Sequence, residues 1–339
     1  MGWGRAGACP DLRDCLGYKI AVVVLAAGFY WGRMAQGSSS NDDTLRGFGF
    51  ALVAYLLWGF LPLFMKELAH IPPTEVVAHR IIWAVPIALV VLWLGGQMGD
   101  LKRALGTPRM LAMGAVTATL ISVNWGLYVW AIGSGHALEA ALGYYINPLF
   151  SIFLGSVLLG ERMNRVQKAA VALVALAVAV MTWEAGKLPL VALGLTVTWG
   201  FYAYFKRSLP IGANQGFMLE VLILLVPSVV YVAVVGAEGQ GHFMAGVGRD
   251  TGLLLLCGVV TAAPMMIYAN GAKGLRLSTI GIMQYIAPTM IFLSATFIFH
   301  EPLGQVQFMA FVMIWAALAL YTGAMIRGGR GRVAGEDSA

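Results

Sequence analysis

The chain is 339 residues long, 59% hydrophobic and 11% charged, with a mean hydropathy of +0.78. Soluble domains carry roughly 25% charged residues, so this composition excludes an ordinary water-soluble globule. The formal net charge of +6 does not signal nucleic acid, because the basic residues sit in short loops rather than on one face. Cys9, Cys15 and Cys257 lack metal or disulfide spacing, and neither a metal nor a cofactor is expected.

Residues 1–44 form a leader. Its apolar stretch, Ile20–Trp31, is short for a span and closer to the core of a signal peptide, yet no convincing small-residue cleavage site follows it. Two readings stand: Met34 is the natural start and Gly37–Thr44 a polar lead-in, or the stretch is an extra peripheral or spanning helix. Ten apolar runs follow, each of about twenty residues, the length that crosses a bilayer as a helix. They cover approximately Gly47–Met65, Glu75–Leu94, Met110–Ile132, Ala137–Leu159, Val166–Trp183, Leu188–Phe205, Gly216–Val235, Gly252–Gly271, Leu277–Phe299 and Gln305–Ile326. The fold class is therefore an all-α polytopic membrane protein embedded in a lipid bilayer. The longest connection, 236–250, is Gly-rich and expected to be flexible.

Loop charges orient the chain. The N-terminal flank, alternate loops and the tail hold Arg46, Lys102, Arg103, Arg109, Arg162, Arg165, Lys168, Lys206, Arg207, Lys273, Arg276, Arg327, Arg330 and Arg332. The other loops hold Lys66, Lys187 and Arg249. Fourteen against three is a strong positive-inside bias and predicts both termini in the cytoplasm.

The sequence also repeats itself. Tyr145-Ile146-Asn147-Pro148 recurs 140 residues later as Tyr285-Ile286-Ala287-Pro288, and each proline precedes a glutamate, Glu161 or Glu301, by thirteen residues. Tyr128 and Tyr268 share this offset; close to it, Trp58-Gly59-Phe60 recurs as Trp199-Gly200-Phe201 and Val85-Pro86 as Val226-Pro227. Residues 45–184 and 185–327 thus form two five-helix repeats, with a cytoplasmic tail at 328–339. Five is odd, so the second repeat enters the membrane inverted. Inverted pairs suit alternating access, with substrate held near the midplane where the repeats meet.

Polar groups inside spans mark that site, because they are costly in hydrocarbon. Glu75, His79 and Trp83 share one helical face, with Arg80 beside them. They read either as a gate or substrate-charge contact, with Glu75 pairing with His79 or Arg80, or as an interfacial ion pair. Asn124 and Tyr128 lie on one stripe of the third span, Asn124 as helix glue or as a ligand contact. The fourth span carries Glu139, Tyr144, Tyr145, Asn147 and Pro148, and the ninth carries Gln284, Tyr285 and Pro288. The two prolines are candidate hinges and the aromatics with Trp58 candidate cavity residues. Glu220, in the repeat position of His79, is a coupling candidate with Glu75 and Glu139 or a structural acid. The fifth and tenth spans are Ala-rich and expected to pack peripherally or form a homodimer surface.

Several motifs in order carry a resemblance: His79-Arg80-Ile81-Ile82-Trp83, Leu138-Glu139-Ala140-Ala141-Leu142-Gly143-Tyr144-Tyr145-Ile146-Asn147-Pro148, Leu159-Gly160-Glu161-Arg162, and Leu275-Arg276-Leu277-Ser278-Thr279 with Gln284-Tyr285-Ile286-Ala287-Pro288. From about Leu45 to Arg327 the chain resembles the RarD-type permeases of the EamA family, in the drug/metabolite transporter superfamily. The resemblance implies a ten-helix carrier of the bacterial inner membrane that moves small metabolites, such as amino-acid derivatives, often outward. The group is associated by name with chloramphenicol. Ala84 and Ala287 depart from a frequent serine and glycine, and the leader is unusual. No phosphate-binding Gly-x4-Gly-Lys-Ser/Thr motif is present, leaving proton coupling or uniport open. An intramembrane enzyme would need a nucleophile–base or metal set, and a receptor or scaffold would not need paired prolines and aromatics in both halves.

Overall fold

The computed structural model describes residues 45–159, 165–186, 188–246, 248–271, 275, 280 and 283–336. The leader, Glu161 and the loop motif around Arg276 lie outside the described residues. Eleven helices are described: α1 (Leu45–Glu67), α2 (Pro73–Leu94), α3 (Met98–Leu105), α4 (Pro108–Gly133), α5 (Ala137–Leu159), α6 (Arg165–Ala185), α7 (Leu190–Arg207), α8 (Ala213–Ala237), α9 (Gly248–Gly271), α10 (Ile286–Leu293) and α11 (Gln305–Glu336). Prolines start α2 and α4, where a missing N–H costs nothing.

Eight of these helices contain stretches of 19 to 26 residues long and apolar enough to cross a membrane. The predicted sixth and ninth spans differ from the other eight. Helix α7 has only 18 residues, several of them polar. The ninth span, expected as one helix over Leu277–Phe299, is described as α10 from Ile286 followed by a π-helical turn at Ser294–Ile298. Helix α3, inside a predicted loop, is short and amphipathic, burying Leu101 and Ala104 while Lys102 and Arg103 face out. Helix α11 runs past the predicted end at Ile326.

Helix α2 packs between α8 and α9; α1 lies on α9 and α10, α4 on α7 and α8, α5 on α7 and α10, and α6 on α11. Small residues permit the closest approaches, as expected where helices associate in lipid. A Cβ on Gly258 of α9 would overlap the Trp83 backbone of α2. A Cβ on Gly59 of α1 would strike Met290 of α10, and one on Gly200 of α7 would strike Phe150 of α5. Trp93, Trp183, Val226 and Phe297 are exposed on the outer surface, which suits acyl chains.

At one end of the bundle, charges seal helix termini. Lys66 Nζ donates to the Ile132 carbonyl in the last turn of α4, at 3.3 Å. The Glu301 carboxylate accepts from the first two N–H groups of α5, Ala137 at 2.8 Å and Leu138 at 2.9 Å. His300, at φ 52°, turns the chain so that Glu301 reaches them. A carboxylate on a helix N-terminus satisfies orphan donors and complements the dipole. Glu301→Ala should therefore destabilise the folded chain by about 1–2 kcal/mol, read from thermal unfolding in detergent, with Glu301→Gln intermediate.

Candidate functional site

Arg80 occupies the middle of the polar groups buried between the two halves. It lies seven residues into α2 and is 3% exposed. Its Nε donates to Thr261 Oγ1 of α9 at 2.9 Å, and its guanidinium stacks over the Trp125 ring of α4 at 4.8 Å. Its Nη1 is buried without a hydrogen-bond partner. Tyr128, Tyr144 and Cys257 lie within its electrostatic reach. The Tyr128 and Tyr144 rings meet edge-on at 5.8 Å, and Tyr144 meets Trp199 of α7 at 6.5 Å. The Tyr128 hydroxyl is also buried and unpartnered. Beside it, Asn124 Nδ2 donates to the Leu195 carbonyl at 3.1 Å and to Thr198 Oγ1 at 2.8 Å, so Asn124 ties α4 to α7 while its Oδ1 has no partner. Unsatisfied polar atoms at such depth are expensive unless something transient satisfies them.

The other sequence candidates fall into separate groups. Trp58 packs with Tyr55 and Tyr268, ring centroids 5.5 to 5.6 Å apart, on the α1–α9 contact. Tyr145 turns towards α10 and α11: its hydroxyl and Thr289 Oγ1 are 2.7 Å apart, and its ring meets Phe311 and Trp315. Asn147 and Tyr285 are partly or fully buried, each with a polar atom lacking a partner; Gln284 and Glu139 are half-buried. Pro148 sits inside a continuous α5, and Pro288 is buried in the first turns of α10. A cavity of about 430 Å³ beside α3, lined by Asp100, Arg103, Met110 and residues 209–212, is separate from the Arg80 group.

Glu75 finds a different partner from the one its spacing suggests. It is 1% exposed and accepts from His242 twice, the backbone N–H at 2.7 Å and Nδ1 at 2.8 Å. His79 instead accepts from Trp83 Nε1 at 3.1 Å and faces Phe243, whose ring lies 4.8 Å away and also meets Trp83. The α8–α9 connection, expected to be loose, is therefore folded onto the start of α2. Asp250 with His70 (3.1 Å), Arg249 with Glu67, and Thr74 with Tyr231 (2.7 Å) add ties at the same end. Each of these ties joins the N-terminal half of the chain to the C-terminal half. Among the described residues, the ion pairs linking the two halves of the chain all lie at this Glu75 end.

Glu220, a coupling candidate or structural acid by sequence, has a cation beside it. Lys206 Nζ lies 2.7 Å from Oε1, and the Tyr202 hydroxyl donates to Oε2 at 3.2 Å. Glu220 is 1% exposed, so removing one partner leaves an uncompensated buried charge. Lys206→Met should cost about 3 kcal/mol, and Lys206→Met with Glu220→Gln should restore most of the loss in thermal unfolding.

Sequence reasoning missed Thr261, Trp199, His242, Phe243 and the Lys206–Glu220 pairing. Trp199 and Lys206 were visible, the first as a repeat marker and the second as a loop charge, but nothing in their spacing gave their partners.

These features define a multi-pass helical membrane protein with a buried polar centre. The EamA-like transporter family matches residues 45–183. Protein RarD of Escherichia coli (strain K12) is 37% identical over 279 residues, covering 82% of this chain and 94% of that relative. The chloramphenicol-sensitive protein RarD of Pseudomonas aeruginosa is 28% identical over 274 residues, covering 80% and 91%. A protein crystal structure at 18% identity aligns with a TM-score of 0.55 over 83% of this chain and 98% of that one, a likeness of fold. The chain belongs to the RarD-type permeases of the EamA-like transporter family.

Proposed function

We propose that the protein is a secondary carrier of the bacterial inner membrane, with both termini cytoplasmic, that exports small metabolites or drugs by alternating access. Ten spans act as two inverted five-helix repeats. The observation that carries this reading is the Arg80 cluster, a set of buried polar and aromatic groups assembled from both halves: Arg80, Trp125, Tyr128 and Tyr144 from the first, Trp199 and Thr261 from the second. A receptor or scaffold has no use for unsatisfied groups at that depth.

Symmetric packing supports the inverted pair. Under the repeat offset α1 corresponds to α7, α4 to α9 and α5 to α10. The α1–α9 contact then exchanges with α7–α4, and α1–α10 with α7–α5, all of which occur. The glycine contacts Gly59–Met290 and Gly200–Phe150 exchange the same way, at offsets of 141 and 140. The ties at the Glu75 end fit a conformation closed on that side, which the loop-charge bias makes the outer face. Glu220 with Lys206, in the opposite half, is the coupling candidate best placed to exchange a proton; Glu75 serves the gate. The name of the Pseudomonas relative motivates including chloramphenicol among the trial substrates.

The test is flux in proteoliposomes across amino acids, their derivatives and chloramphenicol, with and without a pH gradient. Saturable flux of at least one compound is expected; its absence across the panel contradicts the carrier reading.

A further inference from the structure

We propose that the Arg80 site selects organic anions, specifically small carboxylates with an apolar or aromatic body; this rests on the reading of the Arg80 cluster as the substrate site. Among the described residues, no carboxylate lies within ion-pair distance of Arg80. The buried acids nearest in sequence or in symmetry are already engaged. Both Glu75 oxygens are taken by His242, and both Glu220 oxygens by Lys206 and Tyr202.

Nor does the side chain escape to water. Arg80 is about 10 Å into α2, within snorkelling range of the Glu75 end. Its guanidinium is instead held by Thr261, about 20 Å into α9 from that same end, and thus points towards the bilayer middle. A cation placed there without an internal counter-ion is strongly unfavourable, and its Nη1 still has a donor to give.

The surroundings fit a carboxylate with an apolar body. A planar guanidinium fixed by Thr261 on one edge and Trp125 on one face presents its remaining edge for paired N–H donation, the geometry that a carboxylate accepts. The unpartnered Tyr128 hydroxyl adds a neighbouring donor. The rings of Trp125, Tyr128, Tyr144 and Trp199 supply an apolar wall, where edge-on and stacked contacts accept an aromatic or branched body. The repeat mate of Arg80 is Val221, so only one of the two symmetry-related places carries a guanidinium. A single anion therefore sits off the pseudo-axis.

The test uses the full-length chain purified in detergent. N-acetyl-L-phenylalanine, N-acetyl-L-leucine and phenylacetate are titrated against their uncharged amides and chloramphenicol, with binding read by tryptophan fluorescence and thermal shift. At least one carboxylate is expected to bind about tenfold or more tightly than its amide. That preference should vanish in Arg80→Gln and return in part in Arg80→Lys. Equal binding of acid and amide by the native chain overturns the proposal, as does carboxylate affinity unchanged in Arg80→Gln or the failure of every carboxylate to bind. The native acid-to-amide ratio decides even if Arg80→Gln does not fold. Parallel flux measurements separate this from the carrier reading. Flux of neutral compounds with no carboxylate preference sinks the anion class alone, whereas tight carboxylate binding without any flux sinks the carrier alone.

Discussion

Gly258→Val should lower the thermal stability of the protein by more than about 2 kcal/mol and abolish carboxylate binding at Arg80. The reason is backbone proximity. A Cβ at Gly258 would overlap the carbonyl group of Trp83, which no side-chain rotation can move aside. Helices α2 and α9 must then separate. Arg80, three residues before Trp83, is bonded to Thr261, three residues after Gly258. Separation therefore breaks the hydrogen bond that orients the guanidinium. Gly258→Ala should show the same defect at smaller size. Gly126→Ala is the control: nothing lies within 4 Å of its would-be Cβ, and replacing a helical glycine by alanine stabilises by about 0.5–1 kcal/mol. Thermal unfolding and the fluorescence titration on the three variants check both parts.

His242→Ala should open the Glu75 end. The Glu75 carboxylate is buried and both its oxygens are satisfied by one residue of the α8–α9 connection. Losing the imidazole leaves that carboxylate half-satisfied, at a cost of about 1–3 kcal/mol. Part of that penalty disappears if the connection lifts and water reaches Glu75. Phe243, packed against His79 and Trp83, leaves with it. Glu75→Gln should act in the same direction and more weakly, because the amide keeps one acceptor. Access of a water-soluble thiol reagent to Cys257, which is fully buried beside Arg80 in the native chain, reports the opening. Unchanged protection of Cys257 in His242→Ala would show that the connection is not the closure.

Much of this was legible in the sequence because polar residues stand out in apolar runs. Arg80, Asn124, Tyr128 and Tyr144 were each visible as costly exceptions, and the structure gathers them. Their partners were less visible. Thr261 blends into a span, since a threonine satisfies itself on its own helix and carries little penalty. His242 and Phe243 lie in a connection without periodicity, so nothing in their spacing announces where they land. Glu75 shows the limit of helical spacing: i and i+4 place Glu75 and His79 on one face, but a better donor pair from another element took the carboxylate. Glu220 shows the converse. Its partner Lys206 reads from sequence as a loop charge, and only folding brings it from the end of α7 against α8. The ninth span is broken by a turn at Gln284 and Tyr285, and no proline or glycine at those two positions announces it.

Alternating access requires that the Arg80 cluster be reached from each membrane face in turn. It is tested by labelling Cys257 with a membrane-impermeant maleimide in a chain carrying Cys9→Ser and Cys15→Ser, in vesicles of both orientations. Labelling is expected from both faces in the native background, slow from the Glu75 side, accelerated there by His242→Ala and suppressed by a bound carboxylate. Labelling from one face only, in every variant and with or without carboxylate, would contradict it.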